Sequence, residues 1–152
     1  MAKFIYRMQS ILDIKYKLEE QAKQQYMEVR IRLNEAQDML DGLQKRKEEY
    51  FEAYRRLVSE KLDILEIENC KNAILILDEY IINQKSVVAA IEIELEQAAA
   101  AMKEAMKERK IHEKLKENQF ESFLQELNRE EAKEIDQLVS YQYNDRNTEE
   151  EV

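Results

Sequence analysis

One glycine, Gly42, and no proline interrupt the 152 residues of the chain. These two residue types mark most chain reversals, because glycine accepts positive φ and proline ends a helix. A sequence almost free of both has few places to turn. It points to long helices rather than to a compact, loop-connected globule, and a charged fraction of 38% fits the solvated surface such helices need. The expected fold class is all-α.

Periodicity refines that expectation. Alternating steps of four and three from Phe4 reach Met8, Ile11, Lys15, Leu18, Ala22 and onward to Leu57, and twelve of the sixteen positions are apolar. That spacing predicts a coiled-coil seam. A second seam in its own register runs from Ile67 through Cys70, Ile74, Leu77, Ile81, Gln84, Val88, Ile91, Leu95, Ala98 and Met102 to Ala105. It loses phase near Met106 to Leu115, which predicts a stutter or a change of partner face there. Between the two registers, Asp63 followed by Glu66 forms a capping-box-like helix start, with Ser59 just before it. The turn is therefore placed at about 58–63. Gly42 is the rival position, but the first seam passes it without slipping.

The resulting expectation is an elongated antiparallel two-helix coiled-coil hairpin. Its first helix covers about 4–58 and its second about 64–141, in a single body over 1–143 followed by a disordered acidic tail at 144–152. Phe4 would lie opposite residue 118, along an arm of roughly 80 Å at 1.5 Å per residue. The second helix would overhang from Gln119, carrying Phe120, Phe123, Leu124, Leu127, Ile135 and Leu138.

Several function classes find little support. A formal charge of -9 repels nucleic-acid phosphates and anionic lipid headgroups, so no nucleic-acid partner is expected. The longest apolar runs are five residues, against about 20 for a membrane span, and the N-terminus does not read as a secretion signal. The lone cysteine, Cys70, fits a reducing cytosol. His112 is the single histidine, and one His with one Cys cannot build a zinc or di-iron set. It reads as an ordinary surface or seam histidine. Without a metal set, a phosphate loop or a nucleophile–base pair, no enzyme activity and no cofactor are expected. The "AAAA" run, Ala98 to Ala101, reads chiefly as strong helix-forming sequence, and Tyr50, Phe51 and Tyr54 as cover for the seam near the turn.

One stretch carries more oil than a seam can hide. In "LDILEIENCKNAILILDEYIINQ", the residues Ile64, Leu65, Leu75, Ile76, Tyr80 and Ile82 spread round the helix beyond the reach of one facing helix. A two-helix body has no further core for them, so the region either self-associates or docks on a partner.

Three segments carry a family resemblance: "KFIYRMQSILDIKYKLEEQAK" at Lys3 to Lys23, "LDILEIENCKNAILILDEYI" at Leu62 to Ile81, and "REEAKEIDQLV" at Arg129 to Val139. In this order they closely resemble the start, the post-turn segment and the ending of the flagellar export protein family FliJ. The resemblance implies a stalk-like hairpin that binds the hexameric export ATPase, the cytoplasmic part of the export-gate protein FlhA, and export chaperones. It implies a cytoplasmic location at the inner face of the flagellar base, reached through proteins only. Family gate-contact positions fall on Ala73, Leu77, Tyr80 and Gln84, and Ile76 from the surplus joins them as a candidate. Phe4, Met8, Ile11, Ile135 and Leu138, toward the termini, are the candidate contacts to the ATPase ring. The rival readings are a general cytosolic scaffold that homodimerises through Leu62 to Gln84, the equivalent injectisome stalk, and a catalytic helical bundle.

Overall fold

The computed structural model describes residues 2–60 and 63–150. Two helices make up almost all of it, α1 at Gln9–Glu60 and α2 at Ile64–Glu150. The packing divides into two units. The end unit comprises Met1–Lys17 with Met106–Val152, and the turn unit comprises Leu18–Ala105. Within each, pairs recede along α2 as they advance along α1: Phe4 with Phe120 and Lys15 with Glu108 in the end unit, Arg32 with Glu94 and Lys47 with Asp78 in the turn unit. The helices are therefore antiparallel in both, as an all-α hairpin requires.

The helix ends differ from the sequence expectation. α1 begins at Gln9 rather than near Phe4, because the preceding residues do other work. Phe4 packs edge-on against Phe120 at 5.1 Å and against Phe123 at 5.5 Å, and Tyr6 is buried. Aromatic burial of this kind outweighs one more turn of helix. α1 runs to Glu60, so part of the expected turn at 58–63 is helical, and Lys61 and Leu62 lie outside the described residues. Ser59 donates back to the Arg56 carbonyl at 3.1 Å. Asp63 caps α2, its carboxylate accepting the Leu65 amide at 3.2 Å while its carbonyl accepts Ile67 N at 3.1 Å. α2 then continues to Glu150, past the expected end at 141 and through most of the stretch expected to be disordered. No proline or glycine stands there to stop it.

The seams were half legible on α1 and fully so on α2. The expected positions Lys15, Ala22, Val29, Ala36, Leu43, Ala53 and Leu57 face inward, but Tyr50 and most of the alternating ones do not. Met8, Ile11, Leu18 and Met39 are exposed, and Leu12, Glu19, Tyr26, Leu33 and Leu40 turn in instead. Both step orders obey a heptad. The correct one exchanges Gln25 for Tyr26 and Arg32 for Leu33, which lowers the polar content of the interior. On α2 all twelve expected positions from Ile67 to Ala105 are buried or half-buried. A hydrophobic core cluster lies in the turn unit, where Leu33, Ala36 and Val88 are packed against Leu40, Ile91 and Leu95. Gln84, the one polar member, donates its side-chain amide to the Ala36 carbonyl at 2.9 Å.

Candidate functional site

The surplus apolar residues after the turn stay in solvent. Ile64, Leu65, Leu75, Ile76, Tyr80 and Ile82 are all exposed, while Leu77 and Ile81 fill the seam. One flank of the turn unit concentrates them. Met39 and Arg46 from α1 face Tyr80 and Val87 from α2 across a groove of about 350 Å³ floored by Leu43 and Leu77. Met39, Tyr80 and Val87 are 62%, 56% and 46% exposed, so the groove has apolar walls open to a partner. Arg46 is its one charged lining residue, and among the described residues it has no carboxylate partner.

Of the five candidate gate residues, Leu77, Tyr80 and Gln84 line this groove, and Ile76 lies exposed one turn before Tyr80. Ala73 is half-buried. Leu77 is only 6% exposed, so its side chain serves the seam, and the Gln84 amide is committed to Ala36. Tyr80 and Ile76 are the ones a partner can reach. Sequence reasoning missed Met39, Arg46 and Val87. The four-three stepping from Phe4 assigns Met39 and Arg46 to the seam, whereas both are exposed, and the groove exists only where two helices meet.

The end unit has a different character. The expected stutter near Met106 to Leu115 is absent. The inward stripe keeps its phase but is occupied by Arg109, His112 and Lys116 before Phe123 restores an apolar residue. The loss of phase in the apolar pattern was a change of residue type, not of geometry. Lys15 meets Glu108 at 2.5 Å, Tyr16 donates to Glu113, Arg109 pairs with Glu113 at 2.9 Å, and Lys116 donates to Gln9 at 2.6 Å. The Lys15 ammonium, through its hydrogen bond and its charge, holds the Glu108 carboxyl below the usual carboxylate range against a smaller opposing effect of burial. Among the described residues, Tyr6 Oη and His112 Nδ1 are buried without a hydrogen bond. His112 is thus a seam residue.

The candidate ring contacts all belong to this unit. Phe4 is half-buried in its aromatic cluster, Met8 and Ile11 are at the edge of exposure, and Ile135 and Leu138 are well exposed. From residue 128 to residue 150 every position of α2 is exposed, so the helix continues there without lateral cover. Phe120 and Phe123, expected to overhang, instead pack on Phe4.

Among the described residues no three His, Cys, Asp or Glu side chains converge as a metal site, and no helix is long and apolar enough to cross a membrane. The model of the flagellar FliJ protein family matches residues 4–148. The chain belongs to the FliJ family. That match spans both units and includes the groove and the ring candidates, and it makes the chain a component of flagellar protein export. No curated protein and no solved structure matches it.

Proposed function

We propose that this FliJ-family chain is a non-enzymatic stalk that binds the hexameric export ATPase with its end unit and the cytoplasmic domain of the gate protein FlhA with its turn unit. The observation that carries the reading is the open groove walled by Met39, Tyr80 and Val87, of which Tyr80 lies in the segment that resembles the family's gate-contact region. Tyr80 is the anchor, since a large amphipathic side chain beside a preformed hollow is the usual hot spot of an interface. Ile76 extends the contact, Ala73 lets the partner approach, and Leu77 and Gln84 hold the groove's floor rather than touch the partner. Phe4, Met8, Ile11, Ile135 and Leu138 supply the ring contact. The same surfaces carry export chaperones, and the protein works in the cytoplasm at the inner face of the flagellar base.

Binding to the ring stabilises whichever ATPase assembly it prefers, so the stalk shifts that equilibrium by its differential affinity. The gate contact is tested with Ile76→Asp and Tyr80→Asp, both solvent-facing, titrated against the cytoplasmic domain of FlhA. About tenfold or greater weakening with helicity unchanged is expected. Wild-type affinity in both variants removes this groove from the gate interaction.

A further inference from the structure

The opposite flank of the turn unit carries a second groove that the gate reading leaves unused. At 100° per residue, Tyr80 and Val87 leave the α2 seam on one side, and Lys71, Leu75, Asp78, Ile82 and Lys85 leave it on the other. The latter five follow one another by steps of four and three, so α2 bears two heptad stripes on two faces. A helix patterned in this way is suited to holding two neighbours. α1 takes the first stripe. Leu75 and Ile82 of the second are 63% and 67% exposed.

Between this stripe and α1 lie two adjoining hollows of about 310 Å³ and about 610 Å³ that share Phe51 as a wall. Phe51 was expected to cover the seam, but it is 43% exposed and faces this flank. The floor of the smaller hollow is Phe51, Tyr54, Ile74 and Leu75. The rim is cationic. Arg55 lies over the Phe51 ring at 5.1 Å and Lys71 over the Tyr54 ring at 5.8 Å, with Lys85 beyond. Among the described residues none of these three cations meets a carboxylate, whereas Lys47 is already paired with Asp78 at 2.5 Å. Glu48 and Glu52 line the larger hollow, so the flank carries one cation in excess on a chain whose formal charge is -9.

We propose that this flank is a docking groove for an acidic amphipathic helix of another protein. Its apolar residues, at heptad spacing, seat against Phe51, Leu75 and Ile82, and its carboxylates meet Arg55, Lys71 and Lys85. A second copy bound through the same face would set these cations against their own counterparts, because a twofold interface is self-matching. The proposal does not depend on the gate reading, which uses other residues.

The test titrates the full chain with a synthetic three-heptad amphipathic peptide bearing Leu at the apolar positions and Glu on the flanks, and with its counterpart bearing Lys on the flanks. The Glu peptide binds about tenfold or more tighter than the Lys peptide, and the paired change Lys71→Glu with Lys85→Glu reverses that order. Leu75→Asp abolishes binding with circular dichroism unchanged, while Tyr80→Asp leaves it intact. Failure of the Glu peptide to bind, equal binding of both peptides, or indifference to the charge reversal overturns the proposal. So does a concentration-dependent dimer in sedimentation that Leu75→Asp dissolves, since a second copy then owns the face.

Discussion

The turn unit and the end unit pair the same two helices with different chemistry. In the turn unit the interior is mainly aliphatic, with Leu33, Ala36, Leu77, Ile81 and Val88 all buried; Glu19, paired with Lys23, is its buried carboxylate, and pairs such as Arg32 with Glu94 stay at the edge. In the end unit Leu12 is buried, but Arg109, His112 and Lys116 hold inward positions beside it, Phe4, Phe120 and Phe123 form an aromatic cluster, and among the described residues Tyr6 Oη and His112 Nδ1 lie buried without hydrogen bonds. Aliphatic burial stabilises each large side chain by about 1.5–3 kcal/mol. Half-exposed ion pairs contribute at most about 1 kcal/mol each. The lesson is that one coiled-coil register can be filled mainly by aliphatic side chains in one place and by a mixture of aliphatic, aromatic and charged ones in another.

The comparison breaks most easily at the aliphatic core. Leu33→Ala is expected to destabilise the turn unit by about 2–3 kcal/mol, the lower part of the range for buried leucines because the site is near solvent and can relax. Urea unfolding followed by circular dichroism measures it. A loss well under about 1 kcal/mol would mean that the aliphatic seam is not what holds this unit.

A smaller effect of opposite sign is expected at Gly42. A Cβ built there meets no atom within 4 Å, so Gly42→Ala adds helix propensity without a clash. The gain is about 1 kcal/mol, read as a raised urea midpoint. Glycine is therefore a weak spot in the turn unit rather than a hinge.

The smallest effect appears only in acid and only in the end unit. Glu108 is held below the usual carboxylate range by Lys15, so its contribution is fully present above the unfolded value. That contribution is lost as pH falls through the depressed folded value. Glu108→Gln should remove this acid-sensitive component while leaving the turn unit's pH response unchanged. Amide signal intensities recorded residue by residue across an acid titration separate the two units.

The sequence made some of this legible and hid the rest for physical reasons. The α2 seam could be read directly because Ile67 to Ala105 has one heptad solution in which only Gln84 is polar. On α1 two step orders share every second position, and apolar residues such as Ile11, Leu18 and Met39 supplied a plausible wrong alternate. The loss of phase in the apolar pattern reflects Arg109, His112 and Lys116, which continue the inward stripe with polar side chains. The exposure of Ile76, Tyr80 and Ile82 was legible, since a two-helix body has no other core. The grooves were not, because each needs side chains from both helices in register.

The Gln84 amide on the Ala36 carbonyl has a consequence for that register. Greasy seams slide at little cost, since one heptad of leucines resembles the next. Moving either helix by a heptad would break this hydrogen bond, at a cost of about 0.5–1.5 kcal/mol. A single glutamine thus acts as a detent, fixing the alignment that brings Met39 opposite Tyr80 and Phe51 opposite Leu75.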